Sequence, residues 1–174
     1  MVYRKAQLSA DFYVALLVFL GFLAYITFQL FQIAPASSSD VREESIRIEA
    51  YQISELLVND IGHPLDWEAK SLAEIQRIGL SDSAKNITNY LLRAKVDQLK
   101  NICETPTGYQ DVKNILDIQD EMSITFIEHA LPSDIIWACT SPTPTNKENA
   151  FNISRTVSIG DTAFAEVIVE VWET

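Results

Sequence analysis

Residues 4–31 read RKAQLSADFYVALLVFLGFLAYITFQLF. Two cations, Arg4 and Lys5, come first, then a short polar run, then a long apolar one. From residue 12 to residue 34 there are 23 positions without a charge, and the polar ones (Thr27, Gln29, Gln32) fall toward the far end. As a helix rising 1.5 Å per residue, this run covers about 34 Å, enough for a hydrocarbon core of about 30 Å. A secretory signal carries an apolar core of only about 7–15 residues ahead of its cleavage site, so the run is too long for that reading. Small residues, APASSS at 34–39, do follow it, and cleavage there stays as an alternative.

The flanks give an orientation. Arg4 and Lys5 precede the span, whereas SSSDVREES after it is net acidic. Positive residues stay on the cytoplasmic side, so the N-terminus is expected inside and residues 35–174 outside. From residue 35 onward there are 23 acids and 11 bases, a net charge of −12. Phosphate binding needs clustered cations, so nucleic acid is not an expected partner. An acidic surface of this kind mainly confers solubility.

Asp11 sits where the apolar run begins, and an acid is costly inside a membrane. It can rest at the headgroup level and favour the positive end of the helix. A different role appears if the chain is cut between Ala6 and Gln7. Gln7 then bears a new α-amine, and Asp11 becomes the fifth residue. Within a bundle of such helices its carboxylate can pair with a neighbour's amine, far more strongly in low dielectric than in water. Only one stagger brings the two groups together, so the pair would also set axial register.

With Gln7, Ser9 and Asp11 in that order after Ala6 and Lys5, the stretch KAQLSADFYVALLVFLGF resembles an archaeal type IV prepilin signal of the class III form, Q-x-S-x-E-x-x-x-L. Asp11 stands in place of the Glu, and Ala15 in place of the Leu, with Leu16 one position along. The resemblance covers about 28 residues. It implies a leader at 1–6 removed by a prepilin peptidase, a membrane and assembly helix at 7–34, and an extracellular domain at 35–174. It further implies a pilin-like structural subunit, here read as a minor one, whose partners are other pilin-like subunits. The alternative is an uncleaved single-span protein whose outer domain binds a ligand or mediates adhesion.

Beyond the span, Pro35 lacks an amide hydrogen and disfavours helix at Ala34, so the membrane helix is expected to bend or end there. Asp40, with Glu43 three residues on, can cap a new helix running to about Asn59. Ile46, Ala50, Ile53 and Leu57 form one stripe at helical spacing and are expected in the core. Gly62 and Pro64 end that helix. Helix is also expected near 68–74, over 87–102 and over about 108–116. The pieces VNDIGHPLDWE, IQRIGLSD and GYQDVKNIL are loosely similar to archaeal pilin-like domains.

After residue 120 the period changes. Segments 122–129, 134–140, 150–159 and 162–173 are rich in β-branched and aromatic residues, and IGD at 159–161 is a hairpin signal. The expected fold is α+β: a long N-terminal helix, then helices packed on an antiparallel sheet of about four strands.

Site candidates are few. Outside a cell, Cys103 and Cys139 can form a disulfide, or they can be two buried free thiols. Asn86-Ile87-Thr88 and Asn152-Ile153-Ser154 are glycosylation sequons. His63 and His129 lack zinc-site spacing, and the acids of DIQDE at 117–121 lack the rest of a calcium loop. There is no Gly-rich phosphate loop and no G-x-S-x-G. Trp67, Trp137 and Trp172 are read as core or interface residues. No enzyme activity, cofactor or metal is expected.

Overall fold

The computed structural model describes all residues except 1, 2, 86, 130–132, 143–146, 161, 162 and 174, and gives backbone alone for 3–9, 32–40 and 148. The chain divides into two compact units, Met1–Arg42 and Glu43–Thr174.

Helix α1 is assigned over Tyr3–Asn59. Of the expected bend or end at Pro35, the end, and with it the restart at Asp40, is corrected: both residues lie within helical backbone. A proline deletes one i→i−4 hydrogen bond and leaves those on either side in place, so a helix can continue across it at a cost. Within the first unit, Ala10–Phe31 is long and apolar enough to cross a membrane, with mean hydropathy 2.3 and none of it buried. Polar side chains in its second half are satisfied locally, as hydrocarbon would require. Thr27 Oγ1 donates to the Leu23 carbonyl at 2.8 Å, and Gln29 Nε2 donates to the Tyr25 hydroxyl at 3.0 Å.

The second unit has one core. The stripe of Ile46, Ala50, Ile53 and Leu57 is buried as expected, joined by Ser54 and Val58. Steps of four, three and four residues keep these side chains on one helical face. Residues 60–92 follow as a loop held by backbone hydrogen bonds: Leu80 N–H to Leu57 O at 2.9 Å, Ser81 N–H to Asp60 O at 3.0 Å, and Leu92 N–H to Leu80 O at 2.8 Å. Trp67 fills the loop's centre and donates its indole N–H to Gly79 O at 2.9 Å. Gly79 allows this approach, since a Cβ there would lie 2.3 Å from Asp60 O. The expected helix near 68–74 is two single 3-10 turns, Trp67–Ala69 and Leu72–Glu74.

Strand β1 is Tyr90–Leu91, followed by α2, Arg93–Cys103, and α3, Gly108–Ile115. The expected helix over 87–102 thus starts later and is preceded by a strand. Strands β2 (Glu121–His129), β3 (Ile135–Thr140), β4 (Glu148–Ile159) and β5 (Ala163–Glu173) match the four anticipated segments closely. Gly160, with φ +58°, makes the turn after β4, in a conformation that favours glycine.

The sheet order is β1-β4-β5-β2-β3. The expectation of about four antiparallel strands needs correcting: the sheet has five strands and is mixed. β1 runs parallel to β4, through Tyr90–Ser158 and Leu91–Ile159, while the other pairings are antiparallel. One face meets the helices. Met122, Ile124 and Phe126 of β2 lie opposite Val171, Val169 and Val167 of β5, all buried. The other face carries Thr125, Ile136, Ile168 and Phe164, with no helix of the described residues packed over it; Ile136 is 64% exposed and Phe164 65%.

Candidate functional site

The N-terminal segment holds the processing and assembly candidates. Ala6, Gln7 and Ser9 lie in helical backbone, and their side chains fall outside the described residues. Asp11 is exposed, one residue into the apolar span, and Phe12 and Tyr13 beside it are exposed too. The span Ala10–Phe31 therefore offers a mainly apolar surface whose one charged side chain is a carboxylate near its beginning.

Among the described residues, the second unit contains at least four buried or half-buried charge clusters. The deepest is at Lys95, which is 1% exposed. Its Nζ donates to Ile61 O at 2.6 Å and to Ser81 O at 3.1 Å. Burial lowers the Lys95 pKa, and the nearby carboxylates of Glu68, Asp82 and Asp60 oppose that shift. Glu68 Oε2 is itself buried without a hydrogen-bond partner. The ammonium thus ties α2 to both ends of the 60–82 loop. Nothing in the sequence reading singled out Lys95. The missed signal is that Lys95, Leu99 and Ile102 follow helical spacing, which places the lysine on the apolar stripe.

At the start of α2, Arg93 forms a two-pronged pair with Glu128 of β2, one arm being Nη1 to Oε2 at 2.6 Å. Glu128 points to the core face and is 7% exposed. The hydrogen bond from Arg93 holds its carboxyl below the ordinary value, against the effect of burial. A carboxyl lowered in the folded state stabilises above its unfolded pKa, and that contribution fades as pH falls through the folded one. Arg93→Ala is expected to cost about 2–3 kcal/mol, less than a fully buried pair because the guanidinium is half exposed. The loss should be full at neutral pH and shrink as pH drops below 4.5, the ordinary Glu value. Urea unfolding of the full chain in detergent at pH 7 and pH 3.5 checks this. Equal losses at both would mean that the pair does not act electrostatically.

Tyr109 of α3 donates to Glu121 Oε2 at 2.6 Å and accepts from Met122 N–H at 3.2 Å, while Lys113 Nζ reaches Glu121 Oε1 at 2.6 Å. Burial, then the bond to Glu121, pushes the Tyr109 hydroxyl up to about 12. Burial alone would raise Glu121; hydrogen bonds from Lys113, Tyr109 and Ser141 outweigh it and leave that carboxyl lowered. In the fourth cluster, Arg155 of β4 bonds Glu55 Oε1 at 2.5 Å and lies 5.1 Å over the Tyr51 ring. Three of these clusters join helices to strands, and that of Lys95 joins a helix to a loop.

Cys103 and Cys139 are joined, with S–S 2.18 Å and Cα–Cα 5.3 Å, so the disulfide reading applies rather than two free thiols. The bridge connects the end of α2 to β3. Asn152 is exposed on the outer face of β4, opposite Glu170, and its sequon partner Ser154 hydrogen-bonds to Glu166. Asn86 lies outside the described residues. Trp67 and Trp172 are buried, and Trp137 stacks on Phe126 at 5.4 Å. Glu121, the last acid of DIQDE, is committed to Lys113 and Tyr109. His63 and His129 are exposed; His129 Nδ1 lies 3.3 Å from Asp134. Among the described residues no three His, Cys, Asp or Glu side chains are grouped to hold a metal ion. In comparisons with protein-family models, with curated proteins and with solved structures, the chain has no match.

Proposed function

We propose that the chain is a pilin-like structural subunit, a minor one, of an archaeal type IV-like surface filament. The observation that carries this reading is the Gln7-x-Ser9-x-Asp11 order leading into the 22-residue apolar span Ala10–Phe31, none of which is buried. A prepilin peptidase cuts between Ala6 and Gln7. The helix then leaves the bilayer and packs among its copies or among other pilin-like subunits. Lipid supplies little hydrophobic drive between helices, so packing and a fixed polar contact must select the register. Asp11 supplies that contact by pairing with the α-amine of a neighbouring Gln7. The second unit stays outside the cell and coats the filament, where it can take part in adhesion. A disulfide between Cys103 and Cys139 suits that oxidising side.

Mass spectrometry of the mature chain is expected to find an N-terminus at Gln7. A chain that keeps Arg4 and Lys5 would instead be an uncleaved single-span anchor with an outer binding domain. Cyclisation of Gln7 to pyroglutamate would leave processing intact but remove the amine, and with it the proposed pairing. Asp11→Asn keeps the size of the side chain and removes its charge. That variant should still be trimmed, yet enter purified filaments at a level reduced by about tenfold, a loss of roughly 1.4 kcal/mol in subunit contact. Filaments holding the variant at the native level would refute the role given to the carboxylate.

A further inference from the structure

The two edges of the sheet are treated differently by the sequence. One edge is β4 before Ser158, since β1 pairs only with Ser158 and Ile159. That edge carries the devices that discourage strand addition. A register irregularity lies between Glu148 and Phe151, Asn149 takes φ +51°, and Arg155 is turned to the core side, where it binds Glu55 of α1.

The other edge is β3, paired with β2 on one side only. Its six residues, Ile135-Ile136-Trp137-Ala138-Cys139-Thr140, contain no charge, no proline and no register irregularity. Ile135, Ile136, Ala138 and Thr140 are exposed. Among the described residues, no backbone hydrogen bond reaches β3 from outside the β2 ladder. Half of its backbone N–H and C=O groups therefore face outward in a row, in the arrangement that strand addition uses. Pro132 and Pro142 bracket the segment in the sequence and limit any added strand to about this length.

We infer that β3 is a self-pairing edge, and that a second copy of this chain docks its own β3 antiparallel against it. The occupant must be a short, uncharged, proline-free strand with an open edge of its own, and β3 meets all three requirements. A two-fold axis normal to the sheet satisfies both edges at once and closes the assembly at two copies. The head-to-tail alternative, β3 against the β4 edge, meets the irregularity and the α1 contacts described above. Residues directly opposite each other must share a sheet face. The two-fold must therefore pass at one residue, Trp137 or Ala138. These registers set Ile136 opposite Ala138, or Ala138 opposite itself, on the outer face. A six-residue strand is about 20 Å long, so the interface is small and belongs with weak, reversible pairs.

Disulfide trapping tests this with the full chain in detergent micelles. The double variant Ile136→Cys/Ala138→Cys serves either register. Within one chain the two side chains stand side by side about 6.6 Å apart, well beyond the Cβ separation of about 4 Å that a disulfide needs. Mild oxidation should give a covalent dimer on non-reducing gels, at a yield about tenfold above that of Asn152→Cys/Ser154→Cys, an exposed pair on the outer face of β4, because docking concentrates the thiols. An intact Cys103–Cys139 bridge, mapped by peptide mass, confirms that both variants are folded. Equal yields from the two variants, or no dimer from the β3 variant, would overturn the proposal. The trial needs no filament and no trimming at Gln7, so the subunit reading can fail while this one stands.

Discussion

Lys95→Met is expected to destabilise the second unit by about 3–5 kcal/mol, the cost of breaking a buried charge cluster by removing one partner. Methionine nearly matches the lysine stem in volume, so little of the loss comes from a cavity. What disappears is the donor shared by Ile61 O and Ser81 O. Each carbonyl left without a partner in the interior costs about 1–3 kcal/mol. The carboxylates of Glu68, Asp60 and Asp82 also lose the cation that faces them. Glu68 suffers most, because one of its oxygens is already buried and unpaired. The second change Glu68→Gln should therefore recover part of the loss, and the non-additivity measures the pair directly. Chemical unfolding of the full chain in detergent, followed by circular dichroism, gives all four corners of that cycle. A Met variant within about 0.5 kcal/mol of the parent, the usual range for a surface substitution, would show that Lys95 does not hold the loop.

Opening the disulfide, by Cys103→Ser with Cys139→Ser, is the second large effect. The two residues are separated by 36 positions. The chain-entropy account assigns a loop of that size about 3–4 kcal/mol, through restriction of the unfolded chain. For a unit of this size the midpoint of thermal unfolding should fall by about 10 °C. The loss should not be uniform. β3 has one strand partner, and the bridge from α2 is its other firm attachment. Amide exchange is therefore expected to quicken in β3 well before it does in β5, which has a partner on each side. A midpoint unchanged on reduction, or equal acceleration in both strands, would contradict this account.

Much of the α+β frame could be read directly from residue order. The stripe from Ile46 to Leu57 needs only the helical period. β2 through β5 announce themselves by β-branched content and turn residues, and their ends fall within two residues of expectation. Tyr90–Leu91 could not be read this way, because a two-residue strand has no period and exists only by virtue of Ser158 and Ile159, nearly 70 positions later. Pro35 misled for a related reason: a local rule gives a cost, and neighbouring turns decide whether the helix bears it. The charge clusters divide similarly. Lys95 left a trace on the α2 stripe, whereas Arg155 with Glu55 joins residues 100 apart and leaves none. Cys103 and Cys139 were legible as a candidate pair, but their bonding depends on α2 ending beside β3.

The position of β5 has a consequence for how the molecule is made. Among the described strands it comes last in sequence, yet it lies at the middle of the sheet, between β4 and β2. During synthesis the directly paired β2 and β3, and then β4, emerge before the strand that joins β2 to β4. Until residue 173 is available, Met122, Ile124 and Phe126 lack the valines of β5 that cover them. The β2–β3 pair can form early, but β4 cannot be joined to it until β5 is made. A chain lacking residues 163–173 would leave β2 and β4 without the strand between them and would yield no smaller version of this sheet.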